Sequence, residues 1–396
     1  MKKVLLEKAT IIFMKWHYLS SFFRFKRNYI TLLILGSFLS CGSLEKDRDT
    51  EIVLKWNASY PKETIDDAAI GLKWCLSFLG ADGGKEAIWK GITQKGNLFI
   101  VQTDSLYFSK DAINHLTKLN AQLKQTEEYQ ETGAIDLGRY IALTIGSPYH
   151  YYKIAAVPDQ LETFKANYTF DTIQGYINNS GVSRVHRLIS YAKNMSGSQQ
   201  AYLSTEIDSI SKKPLEFETV EVMPNGLSRF GLYDLDGNLK VVADKKVTKA
   251  GKVAKCMWCH ESGIQPMFRI QLDVPSYLTY EHFQDTLTRY GLAVRQYQNT
   301  HWQDSSLRKR PNHTKMELAY IAFMEPSITH LSNEWNMTKK AILERVAHLP
   351  THRHEEFDFL GDLYHRAAVD SLAPWTVQVV SGSIREKEGN EPDLLK

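Results

Sequence analysis

Between about residues 183 and 245 the chain reads as strands, and beyond that almost wholly as helices. This change of period limits how it can fold more than any other feature. Segments 185–191 and 217–222 are short runs rich in β-branched and aromatic residues. Segment 230–242 reads as a hairpin turning at Asp236-Gly237, a dipeptide that accepts the positive φ of a two-residue loop. Segments 280–297, 314–323, 338–347 and 355–369 carry helical spacing, and Pro326, Pro350 and Pro374 mark the breaks between them. The assembly consistent with this order is an α+β fold with a mainly antiparallel sheet and helices to one side.

Upstream of the strands the pattern is mixed. Thr64 followed by Asp67 is a capping-box-like start for a helix over 65–79 that buries Ile65, Ala68, Ala69, Leu72, Cys75, Leu76 and Leu79. Gly80, Gly83 and Gly84 stop it. Segment 98–101 reads as a buried strand, and Ser109 caps a helix burying Ile113, Leu116, Leu119 and Leu123. Segment 125–134 is polar and reads as exposed. Segment 135–145 is a short apolar helix, and the aromatic cluster 149–152 leads into a strand. The chain shows no internal repeat and no low-complexity tract.

The N-terminus carries an export pattern. Arg24, Lys26 and Arg27 form a basic region, an apolar run covers 29–39, and Ser40, Cys41, Gly42 and Ser43 follow. The run is short for a membrane span, and no later segment is long and apolar enough for one. The junction Leu39-Ser40-Cys41-Gly42 resembles a bacterial lipobox, although Phe38 stands where Leu is usual. That resemblance implies cleavage before Cys41, lipidation of its thiol and anchoring to the membrane. Gly42 in place of Asp implies the outer membrane of the cell envelope. Met14 offers an alternative start. Removing the seven basic and one acidic residues of 1–40 from totals of 48 and 45 leaves 41 and 44, a net charge of −3. The basic balance of the full chain is thus a property of its leader, and nothing in the charge points to nucleic acid.

The chemistry concentrates at Cys256-Met257-Trp258-Cys259-His260. Two thiols one helical turn apart can each form a thioether to a vinyl group of one porphyrin, and the adjacent imidazole then falls under the iron. The pentapeptide resembles the haem-attachment motif of c-type cytochromes. That resemblance covers these five residues and the export context. It implies one covalent haem c held by Cys256 and Cys259, with His260 as the proximal iron ligand and electron transfer to a redox partner protein as the role.

Zinc is the competing cofactor, with Cys256 and Cys259 joined by His348 and His352. The 88 residues between the pairs far exceed the usual roughly 12–15, and zinc gives no reason for His260. A thioredoxin-like redox pair would want the cysteines at the start of a helix after a strand. If haem binds, its sixth position decides between a carrier and a peroxidase-like oxidoreductase. Met324, on the apolar stretch Leu318, Ile321, Ala322 and Phe323, is the first candidate for that position. Met267, Met316, Met337, His301, His313, His330, His348, His352, His354 and His365 also compete. Core filling accounts equally well for each methionine. Trp258 and Phe268 could pack on the porphyrin or in an ordinary core. Asp234, Asp236 and Asn238 faintly resemble a calcium loop, but Leu239 occupies the position that needs glycine. Cys75 reads as a buried, inert thiol.

The resulting organisation is a signal peptide over 1–40, a lipid-anchored tether over 41–60, an α+β domain over 61–245 and a mainly helical domain with the motif over 246–396. About 355 residues after the leader suffice for two domains or one large one.

Overall fold

The computed structural model describes residues 50–85, 87–264, 266, 268–382 and 392–396. Strand β1 (Glu51–Lys55) is followed by helix α1 (Ile65–Phe78). The capping box is present at its start: Asp67 N donates to Thr64 Oγ1 at 3.2 Å, and Thr64 N donates to Asp67 Oδ2 at 3.3 Å. Strands β2 (Ile92–Lys95) and β3 (Leu98–Gln102) form a hairpin. Next come α2 (Lys110–Lys124), capped by Ser109 as expected, and the short α3 (Glu127–Thr132). Then follow β4 (Ile135–Asp136), α4 (Leu137–Leu143), α5 (Pro148–Ile154) and α6 (Leu161–Ala166).

The first sheet has the order β2-β3-β1-β4, antiparallel except for the β1–β4 pair. Ile52 and Leu54 alternate onto one face of β1 and are fully buried, so residues 50–60 belong to the globular body and not to a tether. The flanking charges Glu51 and Lys55 hide this strand in the sequence. Residues 1–49, with the signal and Cys41, lie outside the described residues.

The second sheet is an antiparallel meander of β5 (Gly175–Ile177), β6 (His186–Tyr191), β7 (Ala201–Ile207), β8 (Pro214–Val222) and β9 (Ser228–Tyr233), in that order. The hairpin expected over 230–242 is abbreviated. Asn238 N donates to Asp234 Oδ1 at 2.8 Å, and beyond Gly237 the pairing is reduced to a bridge between Tyr233 and Leu239. Every later named element is a helix: α7 (Val253–His260), α8 (Tyr280–His301), α9 (Ser305–Arg308), α10 (His313–Met324), α11 (Ile328–Glu334), α12 (Lys339–Val346) and α13 (Arg366–Asp370), apart from short 3₁₀ turns. The α+β class and the mainly antiparallel pairing expected from the sequence are therefore observed.

Two further expectations fail. Segment 149–152 lies in α5, because Pro148 fixes the φ of a first helical turn and the helix then packs against α2. The long helix expected over 355–369 is absent. His352 and Leu363 exchange two backbone hydrogen bonds, and Gly361 at φ +79° turns the chain between them, so helix resumes only at α13.

One core runs through both parts of the chain, and Asp49–Lys396 is one compact unit. Its centre is α10, packed against α1 and α4. The helices approach closely at two glycines. A Cβ at Gly71 would lie 2.9 Å from the Lys315 carbonyl oxygen, and one at Gly138 would lie 2.2 Å from Phe323 Cβ. Below this contact sits a buried ion cluster. Arg139, fully buried on α4, meets Glu128 at 2.9 Å, Glu334 at 3.2 Å and Asp370 at 3.1 Å, and Arg366 meets Glu334 at 2.9 Å. Both guanidinium groups lie over the Phe323 ring, at 4.9 and 3.9 Å.

Candidate functional site

Helix α7 carries the whole motif. Met257 is fully buried, and Trp258 turns away from the sheet to meet His313 at 5.8 Å and Tyr320 at 5.6 Å on α10. Trp258 is therefore committed to the helix behind it and not to a porphyrin. One turn apart on the opposite side are Cys256 and Cys259, with His260 beside them. The helix ends there because Glu261 adopts φ +48°, ψ −123°, a conformation costing a non-glycine residue about 1–3 kcal/mol. Arg310 Nε holds it by pairing with Glu261 Oε2, and Gln298 Nε2 donates to Ser262 O at 2.5 Å.

The imidazole of His260 faces the meander, tilted on Phe230 at 5.6 Å. Strand register sorts the residues it meets into rows. Ile189 pairs with Ser204 and Ser204 with Glu218, while Tyr202 pairs with Val220 and Val220 with Phe230. His260, these β6–β8 residues and Arg187 line one partly open cavity of about 100 Å³. Ile264, Pro266, Phe268, Phe283 and Leu287 close its other wall. A smaller cleft of about 30 Å³ adjoins it, where Cys256 and His260 meet Glu218, Phe230 and Gly251. Phe268 is stacked on Phe283 at 5.5 Å and lines the His260 cavity.

Burial, together with the charge of Arg187, holds the pKa of His260 down at about 4, so the imidazole is neutral near pH 7. Burial pushes the Cys256 thiol well above its ordinary range, with a further push from Glu218. No disulfide joins Cys75, Cys256 or Cys259 to one another.

Two thiols on one face, a neutral imidazole beside them and largely apolar walls are the donor set that a c-type haem requires. The donor types are those of a c-type haem, but the cavities do not bring them together: His260 lines the larger one, Cys256 only the small cleft and Cys259 neither. The space beside His260 is also smaller than the roughly 300–1,000 Å³ of typical cofactor pockets. However, Ile264, Pro266 and Leu287 also line an open groove of about 310 Å³ along α8. None of Cys256, Cys259 and His260 lines that groove.

Other residues singled out in the sequence lie elsewhere. Met324 is buried at the far end of α10 and lines neither cavity, so it is not brought to His260. Met316 fills the core under Gly71, and Met337 packs in the small cluster around Trp335. Met267 lies outside the described residues. His330 bonds Ser59 at 2.7 Å and faces Asp136 at 3.3 Å, and His301 pairs with Asp82 at 2.6 Å. His352 stacks on His365 at 4.3 Å and meets Glu325 at 3.1 Å, His354 stacks on Phe357, and His348 is exposed. The zinc set of Cys256, Cys259, His348 and His352 is not assembled. Among the described residues no group of three or more His, Cys, Asp or Glu is placed to hold a metal ion.

Sequence reading missed Arg187, Glu206 and Glu218. Their signal was present as charged residues interrupting the alternation of short strands, which is how a polar sheet face announces itself. No protein-family model, curated protein or solved structure matches the chain.

Proposed function

We propose that this is an exported, lipid-anchored protein of the cell envelope with one covalently bound c-type haem. Cys256 and Cys259 would hold the porphyrin, and His260 would be the proximal ligand. Cys41 would carry the lipid anchor at the outer membrane. The observation that carries this reading is the placement of Cys256, Cys259 and a neutral His260 within about one turn of α7, with His260 facing a largely apolar cavity and Cys256 the cleft beside it. Bound there, haem supplies one-electron chemistry, which suits exchange with a redox partner protein. The chain's own part is to hold the imidazole neutral, orient it against Phe230 and wall the site with the meander and α8.

A second reading is a haem-dependent oxidoreductase. It is favoured by the two charged side chains, Arg187 and Glu218, in the His260 cavity.

The test is expression in a host with c-type haem maturation, followed by a denaturing gel stained for haem peroxidase activity. The expected result is a band that keeps haem after boiling and loses it in the Cys256→Ala/Cys259→Ala variant. A colourless band from correctly exported protein would overturn both readings.

A further inference from the structure

The open groove along α8 carries an unbalanced charge. Arg295 of α8 and Arg310, just before α10, both line it, together with Ser262 and the apolar side chains Ile264, Leu287 and Leu292. Among the described residues no acidic side chain lines it. Arg310 Nε pairs with Glu261 Oε2 at the edge, whereas Arg295 makes no hydrogen bond or ion pair with any described residue. Two guanidinium groups against one carboxylate leave one positive charge unmet. Burial and the nearby Arg310 lower the pKa of Arg295, and Glu261 offsets only part of that push. A guanidinium stays charged through such a shift, so the unmet charge is permanent.

A second observation lies beside it. Ser262 is 1% exposed, and its hydroxyl is buried with no hydrogen-bond partner among the described residues. Gln298 Nε2 donates to Ser262 O and, at 2.7 Å, to Gly226 O, which pins the serine in place. Buried hydroxyls are seldom left unpaired in native structures, and this one has a donor to give to whatever fills the groove. Gln298 Oε1 is unpartnered too, but as an acceptor it offers an anion nothing.

Shape and charge narrow the ligand. The groove, about 310 Å³, lies at the small end of the roughly 300–1,000 Å³ of ligand sites. Leu292 is 59% exposed at its wall, so the apolar body of a ligand would cover surface that now meets water. A planar carboxylate matches the fork of a guanidinium with two parallel hydrogen bonds. A doubly charged phosphate monoester would bring a second negative charge towards Glu261.

We propose that Arg295, Arg310 and Ser262 form a binding site for a small organic monocarboxylate whose apolar body lies along Leu287 and Leu292. The site touches none of Cys256, Cys259 and His260, so it goes beyond the haem reading and stands or falls separately from it.

The test is calorimetric titration of the full-length protein with three probes: 3-phenylpropionate, its neutral amide, and acetate. Phenylpropionate is expected to bind about tenfold or more tighter than the amide, which lacks the charge, and than acetate, which lacks the apolar body. Arg295→Gln should weaken phenylpropionate about tenfold or more and so remove its advantage over the amide. Because Arg295 has no partner to lose, the variant's urea midpoint should match that of wild type. Ser262→Ala should act in the same direction, and carries the test alone if Arg295→Gln does not fold.

Equal affinity for the acid and the amide would overturn the proposal. So would an Arg295→Gln variant that binds the acid as wild type does, or no binding of phenylpropionate up to about 10 mM.

Discussion

Replacing His313 with Phe is expected to raise stability most in acid. His313 opens α10 and is 2% exposed. Its ring meets Trp74 edge-on at 5.4 Å, Phe78 at 5.7 Å and Trp258 at 5.8 Å, so it supports the back of α7. Burial, with a smaller push from Arg310, lowers its pKa from 6.5 to about 3. As pH falls, the unfolded chain takes up this proton first. Stability carried by the neutral ring is full above pH 6.5 and is lost progressively from there towards pH 3. From these two values the loss between pH 7 and pH 5 is about 2 kcal/mol, approaching about 5 kcal/mol below pH 3. Phenylalanine keeps the ring packing and does not titrate. It also removes a buried Nε2 that has no hydrogen-bond partner among the described residues, so the variant should be at least as stable at pH 7.5. The assay is urea unfolding from pH 7.5 to 4.5, followed by tryptophan fluorescence and read as the difference between the two proteins. Glu128 and Glu206, whose burial raises their pKa values to about 7, titrate in both proteins and cancel in that difference. Parallel stability curves for wild type and variant would refute the argument.

Two further outcomes follow from the core. Arg139→Met leaves Glu128, Glu334 and Asp370 short of a buried partner and should cost about 3–5 kcal/mol, read as a lower urea midpoint. A variant as stable as wild type would mean that Arg366 alone neutralises the cluster. Gly138→Ala forces a methyl into Phe323 and should cost about 1–3 kcal/mol by the same assay. Gly133→Ala, at φ +72° with open space around it, tests strain without overpacking and should cost less.

What was legible in the sequence was mostly local. Thr64 with Asp67 and Ser109 mark helix starts through bonds made within three residues, and the structure has both. Strand β1 was not legible, because five residues with charged ends gain their meaning from pairing with β3, more than forty residues away. Propensity misled at α5, where four consecutive aromatic and histidine side chains suggested a strand. The burial of His150, Tyr151 and Tyr152 against neighbouring elements instead favours a helix begun by Pro148. The motif was readable because its five positions are contiguous, so residue type and spacing alone place Cys256, Cys259 and His260 on one helix. The wall opposite it was not, since Arg187, Glu206 and Glu218 come together only through the register of three strands.

That difference bears on how the site holds together. An isolated eight-residue helix is too short to persist in water, so α7 takes its stability from what packs on its two sides. Behind it, Trp258 rests on His313 and Tyr320 of α10, which is itself locked between α1 and α4. In front, His260 rests on Phe230 of the meander. The motif is therefore the joint at which the helical core and the second sheet meet. Loosening α10 through Gly138 should reach His260 by way of Trp258, because it lowers the stability of the core that holds α7 in place.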